Sequence, residues 1–166
     1  MTYKKFLIVA SKLDKAGINI TTQLSQFYER SSNFNFYLVD REILYTENLD
    51  MEKINQYDFI IFASKHEANS KEKTFSIHAP GNWRSADFGG EIGKVSKTSA
   101  LFFKHLFEKL NENVKNHLIK DYRITMEATH HGPLINKPCL FVEIGPTPTE
   151  WADRRAAFVV AKTISE

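Results

Sequence analysis

Short apolar segments separated by polar stretches recur along the chain, and they predict the strands of a sheet. The run Lys5–Ala10 ends at polar Ser11 and Lys12, which is typical of a central strand buried on both faces. Further segments of this kind occupy Phe36–Asp40, Tyr57–Ser64, Thr74–His78, Tyr122–Ala128 and Pro138–Ile144. We expect each of them to be a strand.

Apolar residues at helical spacing predict helices between these strands. The spacing predicts a crossover helix from about Gly17 to Arg30 and a longer one over Thr98–Leu118. Thr147-Pro148-Thr149-Glu150 matches a capping box, so a final helix should cover Pro148–Ile164. The alternation of strands and helices favours an α/β fold, a three-layer α/β/α sandwich with a mixed, mostly parallel sheet.

Composition narrows the class of protein. A chain of 166 residues with 42% hydrophobic content fits a single α/β domain, 1–166. Its net charge of +2 permits contact with RNA and falls short of a dedicated nucleic-acid coat. The one cysteine, Cys139, excludes an internal disulfide and favours a reducing, cytoplasmic setting. The apolar part of Met1–Ala10 is too short for a signal peptide or a membrane span.

The histidines predict a functional site. Four of the six lie in or just before loops at the ends of predicted strands, and imidazole can ligate a metal or move a proton near neutral pH. Because neighbours in a strand face opposite ways, the adjacent pair can line one site only if the chain turns at Gly132-Pro133. These four histidines are His66, His78, His130 and His131.

The strand Thr74–His78 and the loop after it add polar groups to this site. Ser76 and His78 share one strand face, while Phe75 and Ile77 occupy the other. Pro80-Gly81-Asn82 is either an ordinary turn or one that exposes backbone N–H groups to an oxyanion. The whole polar connection from Ser64 to about Gly93 is our first candidate for an active-site loop.

Acidic groups and a helix start complete the candidate site. We expect Glu127 and Glu143 to end two adjacent strands, where each is a metal ligand, a general base or a salt-bridge partner. The loop from Gly145 to Thr149 precedes a helix and could bind an anion at the helix N-terminus. Trp151 either packs in the core or stacks on a base. In open α/β sheets such groups meet beyond the carboxyl ends of the strands.

The motifs resemble those of the D-aminoacyl-tRNA deacylases of the archaeal and plant type. The resemblance rests on Ser76-x-His78-x-Pro80-Gly81-Asn82, on Glu127-x-Thr129-His130-His131-Gly132-Pro133, and on Phe141-Val142-Glu143-Ile144-Gly145 with Trp151. It implies a fold similar to the phosphorylase and peptidyl-tRNA hydrolase group, hydrolysis of the ester between a D-amino acid and tRNA, and zinc as cofactor. It also implies a role in translation proofreading.

Two departures from the family pattern qualify the resemblance. Pro146 stands where the family usually has a serine, so a hydroxyl role there is lost. The family continues beyond the final helix into a glycine-rich segment with further histidines, so this chain is expected to be truncated relative to it.

The residues and the resemblance together give a set of expected roles. Catalytic roles fall to His78, His130, His131, Glu127 and Glu143, of which the three histidines are also the expected metal ligands. Substrate-binding roles fall to Ser76, Gly81, Asn82, Trp83, Thr129, Gly132, Gly145, Thr147 and Trp151. The expected partner is the aminoacylated 3′ end of tRNA, with no DNA or membrane, and the chain is expected to be a monomer. A two-metal site and a metal-free site both remain open.

Two rival functions remain open from the sequence. One is a related hydrolase or phosphorylase that acts on peptidyl-tRNA or a nucleoside, because a fold does not determine a function. The other is a non-catalytic tRNA-binding remnant, favoured by the lysines Lys94, Lys97, Lys104 and Lys109.

Overall fold

The computed structural model describes residues 3–30 and 33–166, whose strands form a six-stranded sheet in the order β2-β1-β3-β6-β4-β5. β4 runs antiparallel to β6 and parallel to β5, whereas β1, β2, β3 and β6 are mutually parallel. The predicted mixed, mostly parallel sheet is therefore confirmed. The strands are β1 (Phe6–Ser11), β2 (Phe34–Val39), β3 (Phe59–Lys65), β4 (Thr74–His78), β5 (Arg123–Met126) and β6 (Cys139–Gly145).

Capping side chains define where the helices begin. The Asp14 carboxylate accepts a hydrogen bond from Gly17 N at 3.0 Å, and Ser99 Oγ accepts one from Phe102 N at 3.3 Å. None of the helices in the described residues is long and apolar enough to cross a membrane. The helices are α1 (Lys15–Leu24), α2 (Met51–Ile54), α3 (Ala100–Asn116), α4 (Pro148–Trp151) and α5 (Arg154–Ser165), with 3₁₀ turns at Ser25–Arg30 and Ile43–Tyr45.

The final helix differs from its prediction. Thr147 caps the helix as the motif predicts, because its Oγ1 accepts from Thr149 N, and the same hydroxyl donates to Glu150 Oε2 at 2.6 Å in place of the reciprocal backbone bond of a capping box. However, the helix that it starts ends at Trp151, and Asp153 caps a new helix by accepting hydrogen bonds from the next turn. The predicted single helix over 148–164 is therefore two helices.

The two faces of the sheet are covered differently. α1, α3 and α5 pack on one face, against side chains such as Ile8, Phe75 and Leu140. The opposite face, which carries Phe62 and the fully buried Cys139, is covered by α2, the 3₁₀ turn Ile43–Tyr45 and loops. The layers of the predicted sandwich are thus unequal, and the loop-covered face leaves room for a site.

The site lies on this loop-covered face of β4 and β6. Ser76 and His78 alternate with apolar core residues along β4. On the face that they share, Ser76 pairs with Glu143 of β6 and His78 pairs with Phe141. Since β4 is antiparallel to β6, His78 lies beside the middle of β6, so its predicted place beyond the carboxyl edge is wrong. The strands that lead to Glu127 and Glu143 are likewise not adjacent, because β4 lies between them.

Candidate active site

Three imidazole rings meet at the end of β4, and we call them the imidazole cluster: His78, His130 and His131. The centroid of the His78 ring lies 4.3 Å from that of His130 and 4.7 Å from that of His131. The sequence neighbours converge because His131 adopts a φ of 46°, a left-handed conformation that turns the chain. The turn expected near Gly132 is therefore located at His131 itself.

Backbone carbonyls hold the Nδ1 atom of each imidazole. Nδ1 of His78 lies 3.3 Å from the Ala79 oxygen, and Nδ1 of His130 lies 2.7 Å from the Ala128 oxygen. His131 Nδ1 contacts the oxygen of Gly132 at 2.6 Å. Since a carbonyl only accepts, each Nδ1 is the donor in these contacts, and Nε2 of the neutral ring presents a lone pair. The buried Nε2 of His78 has no hydrogen-bond partner among the described residues.

A second group, which we call the acidic cluster, adjoins the first: His66, Glu127 and Glu143. His66 Nδ1 lies 3.1 Å from Glu127 Oε1 and 3.9 Å from Glu143 Oε2. Within each cluster, one nitrogen or oxygen per residue lies within 4.8 Å of the others. Such spacing allows either cluster to surround one metal ion.

Two contacts join the clusters. His78 Nε2 lies 3.6 Å from Glu143 Oε2, and His130 Nε2 lies 3.7 Å from Glu127 Oε2. Ser76 Oγ donates a hydrogen bond to the same Glu143 oxygen at 3.1 Å, which fixes that buried carboxyl group. The six ionisable groups therefore form one continuous centre.

Burial strongly perturbs the protonation of this centre. It lowers the pKa of His78 to about 4, with a further contribution from nearby His130. Burial also lowers the pKa of His131 to about 3, and the His78 ring adds to that effect. The pKa of Glu143 rises to about 8, first through burial and then through repulsion from Glu127. At neutral pH His78 and His131 are thus neutral imidazoles, and Glu143 is a carboxyl group that a nearby cation would deprotonate.

A cavity of about 550 Å³ opens onto this centre, a size typical of small-molecule sites. Its walls come from the β1–α1 loop, the Glu42–Tyr45 segment, the end of β3 and the loop that holds Phe88. The members of the centre that line it are His66, His130, His131 and Glu143.

The predicted oxyanion turn has another role. Gly81 N donates to the His131 oxygen at 2.8 Å, and Asn82 N donates to the Lys94 oxygen at 2.8 Å. Of the two alternatives for this segment, the ordinary turn is therefore the one observed, because both N–H groups are occupied. Asn82 Nδ2 also bonds the Gly89 oxygen at 2.8 Å, so the turn anchors the loops around the imidazole cluster.

Gly132 serves close packing of the loops. A Cβ at this position would lie 2.5 Å from both Gly90 N and the Leu44 oxygen, so only glycine fits without movement. Its N–H donates to the Phe88 oxygen at 2.8 Å. Gly132 thus joins the His131 turn to the cavity wall. Thr129, beside these residues, is half-buried.

The residues after β6 support His66. A Cβ on Gly145 would lie 2.4 Å from the His66 oxygen, and Trp151 Nε1 donates to that oxygen at 3.0 Å. Thr147 is engaged in the capping box, and Trp151 packs on the core with Lys65 Nζ 5.0 Å from its ring centroid. Trp83 is 71% exposed and lies outside the cavity lining. These residues therefore position the site or lie beyond the cavity.

The sequence interpretation did not assign a role to His66, although it counted this residue among the loop histidines. His66 follows β3 directly, and the carboxyl end of a parallel strand is where α/β proteins hold ligands. That position is the signal that could have identified it.

The lysines that favoured an RNA-binding remnant are all paired. Lys94 contacts Glu91, and Lys97 Nζ lies 3.0 Å from Asn136 Oδ1. Lys104 and Lys109 pair with glutamates on α3. Lys104 and Lys109 thus lie on a solvated helix face, and Lys94 and Lys97 lie in the loop before α3, so the four lysines give little support to a dedicated RNA surface.

Comparisons with known proteins point to one family. A family model described as D-aminoacyl-tRNA deacylase matches residues 53–166. A protein of that name from Archaeoglobus fulgidus is 38% identical over 95% of this chain, and one from Caldivirga maquilingensis is 32% identical over 96%. The chain spans 62% and 63% of the lengths of these two relatives, respectively.

Solved structures agree on the fold. A crystal structure described as a conserved protein of unknown function superposes with a TM-score of 0.87 at 34% identity, over 97% of this chain and 62% of that one. An N-acetylmuramoyl-L-alanine amidase of Nostoc punctiforme matches with a TM-score of 0.54 at 9% identity, over 96% of this chain and 93% of the amidase. At that identity the amidase is similar in fold alone.

Proposed function

The chain belongs to the D-aminoacyl-tRNA deacylase family, and on that basis we propose that it hydrolyses the ester between a D-amino acid and the 3′ end of tRNA. The observation that carries the proposal is the buried, unpartnered Nε2 of His78 in a centre that opens onto a cavity. A buried polar atom without a partner is costly, and here it belongs to one of three clustered imidazoles, which indicates a role in chemistry. Such a reaction would remove mischarged D-amino acids from cytoplasmic tRNA.

We further propose that the imidazole cluster holds zinc. The donor set fits, because imidazole nitrogen is a common zinc ligand and one ring nitrogen of each histidine lies within 4.8 Å of the others. The backbone carbonyls at Nδ1 match the contacts that usually orient metal-binding histidines. Bound zinc would polarise the ester carbonyl and lower the pKa of a water molecule.

The acidic cluster is suited to handle the proton. The Glu127 carboxylate lies against Nδ1 of His66, so it orients this imidazole and stabilises its protonated form. His66 lines the cavity, where it can take a proton from the attacking water. Glu143, held by Ser76, is the member of the acidic cluster that contacts His78, and it would compensate positive charge that develops there.

The same cluster also offers ligands for a second ion, since carboxylates and imidazole are both zinc ligands. Counting zinc per chain by elemental analysis distinguishes the two arrangements. One ion per chain supports a purely proton-handling acidic cluster, and two ions support a binuclear centre.

Histidine substitution tests the proposed reaction. His78→Ala and His130→Ala should each lower the rate of D-tyrosyl-tRNA deacylation by about a hundredfold or more, the usual contribution of such groups. His105→Ala is the matched control, because His105 is exposed on α3 and lies outside this cavity. Wild-type rates in both cluster variants would overturn the proposal.

A further inference from the structure

Three large apolar side chains are exposed in the cavity of the active site, and we call them the apolar wall: Leu13, Tyr45 and Phe88. They are 66%, 44% and 62% exposed, respectively, and line the same cavity as the imidazoles of His130 and His131. Large apolar side chains left exposed around a concave, largely apolar surface indicate contact with a ligand. The chemistry described above makes no use of them.

We infer that the apolar wall binds the side chain of the aminoacyl group, so that the site favours large apolar and aromatic D-aminoacyl esters over small ones. This inference rests on the proposed function and deepens it by naming the class of amino acid. The aliphatic residues Ile43 and Leu44 beside Tyr45 extend the same apolar lining.

The charge of the cavity favours the acyl half of the ester over the nucleotide half. Among the described residues that line it, Lys65 is the one lysine or arginine, and its Nζ lies 2.9 Å from Glu67 Oε2. Glu42 adds a further carboxylate to the lining. A nucleotide brings phosphates, which need free cations or N–H groups, whereas the aminoacyl group brings an ammonium that carboxylates attract. The acyl half is therefore the better fit to this lining.

Backbone hydrogen bonds position the residues of the apolar wall, and one of them links Phe88 to the loop that carries the imidazoles. The Phe88 oxygen accepts the hydrogen bond from Gly132 N, one residue after His131. Leu13 N donates to Ser11 Oγ at 3.0 Å, and Tyr45 N donates to the Glu42 oxygen at 3.2 Å. Phe88 is thus joined to the His131 turn, whereas Leu13 and Tyr45 are each held within a local turn.

The test compares a large and a small substrate side chain. We would measure kcat/KM for D-phenylalanyl-tRNA and D-alanyl-tRNA with the wild-type chain, Phe88→Ala, Phe88→Leu and Leu13→Ala. Phe88→Ala should lower the ratio of kcat/KM for D-phenylalanyl-tRNA to kcat/KM for D-alanyl-tRNA by roughly tenfold, and Phe88→Leu should lower this ratio less. Leu101→Ala is the matched control, because Leu101 is 78% exposed on α3 and lies outside this cavity; its ratio should stay within about twofold.

A binding measurement separates this inference from the deacylase activity. Calorimetry with 3′-amide analogues, D-phenylalanylamino-adenosine and D-alanylamino-adenosine, should show tighter binding of the first, and Phe88→Ala should abolish that preference. Preferential binding of the phenylalanyl analogue without ester hydrolysis would overturn the deacylase function but would support the proposed role of the apolar wall. If Phe88→Ala loses affinity equally for both analogues, the apolar wall contacts the adenosine. If Phe88→Ala loses affinity for neither, the wall contacts no part of the ligand. Either result overturns the inference.

Discussion

His78 Nε2 lies 3.6 Å from Oε2 of Glu143, at a distance too long for a hydrogen bond, and both side chains are buried. The imidazole nitrogen presents a lone pair, and burial raises the pKa of the carboxyl group to about 8. Nε2 of His78 has no hydrogen-bond partner among the described residues, and the Glu143 carboxyl group accepts a hydrogen bond from Ser76, so the two groups are suited to share a cation. This pair therefore joins the two clusters into one centre.

The metal-free chain should lose stability as the pH rises toward 8. Glu143 has a pKa of about 8 in the folded state, above its ordinary value of 4.5. The protonated carboxyl group of Glu143 therefore stabilises the folded chain fully below pH 4.5, and this stabilisation is lost as the pH rises through 8. Glu143→Gln carries an amide that does not titrate, so this decline should disappear. The measurement is the Tm at a series of pH values in a chelator.

At acid pH the same experiment should show the opposite trend, a Tm that falls as the pH is lowered. The pKa values of His78 and His131 in the folded chain are lowered to about 4 and 3, from an ordinary value of 6.5. The neutral forms of these two imidazoles therefore stabilise the fold fully above pH 6.5, and this stabilisation is lost as the pH falls through 4 and 3. This acid decline should persist in Glu143→Gln. Superimposable Tm profiles of the wild type and Glu143→Gln between pH 5 and 8 would contradict the account.

Two hydroxyl groups on β4 should respond oppositely to removal. Ser76 Oγ donates to Glu143, so Ser76→Ala should cost about 1 kcal/mol of unfolding free energy. Thr74 Oγ1 is buried without a partner among the described residues, so Thr74→Val should be neutral or stabilising. Urea denaturation of both variants provides the comparison, and a larger loss for Thr74→Val than for Ser76→Ala would refute the assignment.

Gly132→Ala should disturb the active site through the loops. Its Cβ would lie 2.5 Å from backbone atoms of Gly90 and Leu44, so the cost should be about 1–3 kcal/mol, as for overpacked cores. Because Gly132 follows His131, deacylation should also fall. In Gly93→Ala the new Cβ would meet nothing within 4 Å, so its cost comes from the positive φ of 70° alone and should leave the activity intact. Equal activity loss in the two variants would speak against the packing argument.

Local patterns in the sequence predict the elements well where the pattern is self-contained. The bounds of β4 match the prediction because Thr74–His78 alternates cleanly between polar and apolar residues. The division of the last helix was missed because an apolar stripe continues across Asp153, whose capping role depends on local backbone geometry.

The site was harder to predict because its contacts are long-range. His78 ends β4, whereas His130 and His131 lie in one loop after β5, and their convergence depends on β4 lying between β5 and β6. His66 pairs with Glu127, which is far along the chain, so no local pattern links them. Likewise, the occupied N–H of Gly81 depends on a contact with His131 that the turn sequence alone does not reveal.

The central claim is tested most directly by incubating this chain with matched D- and L-tyrosyl-tRNA, with and without added zinc, and following loss of the ester. The account predicts release of D-tyrosine in preference to L-tyrosine, faster with zinc, lost in His78→Ala and retained in His105→Ala. Equal release of both enantiomers, or no release of D-tyrosine under either condition, would contradict it.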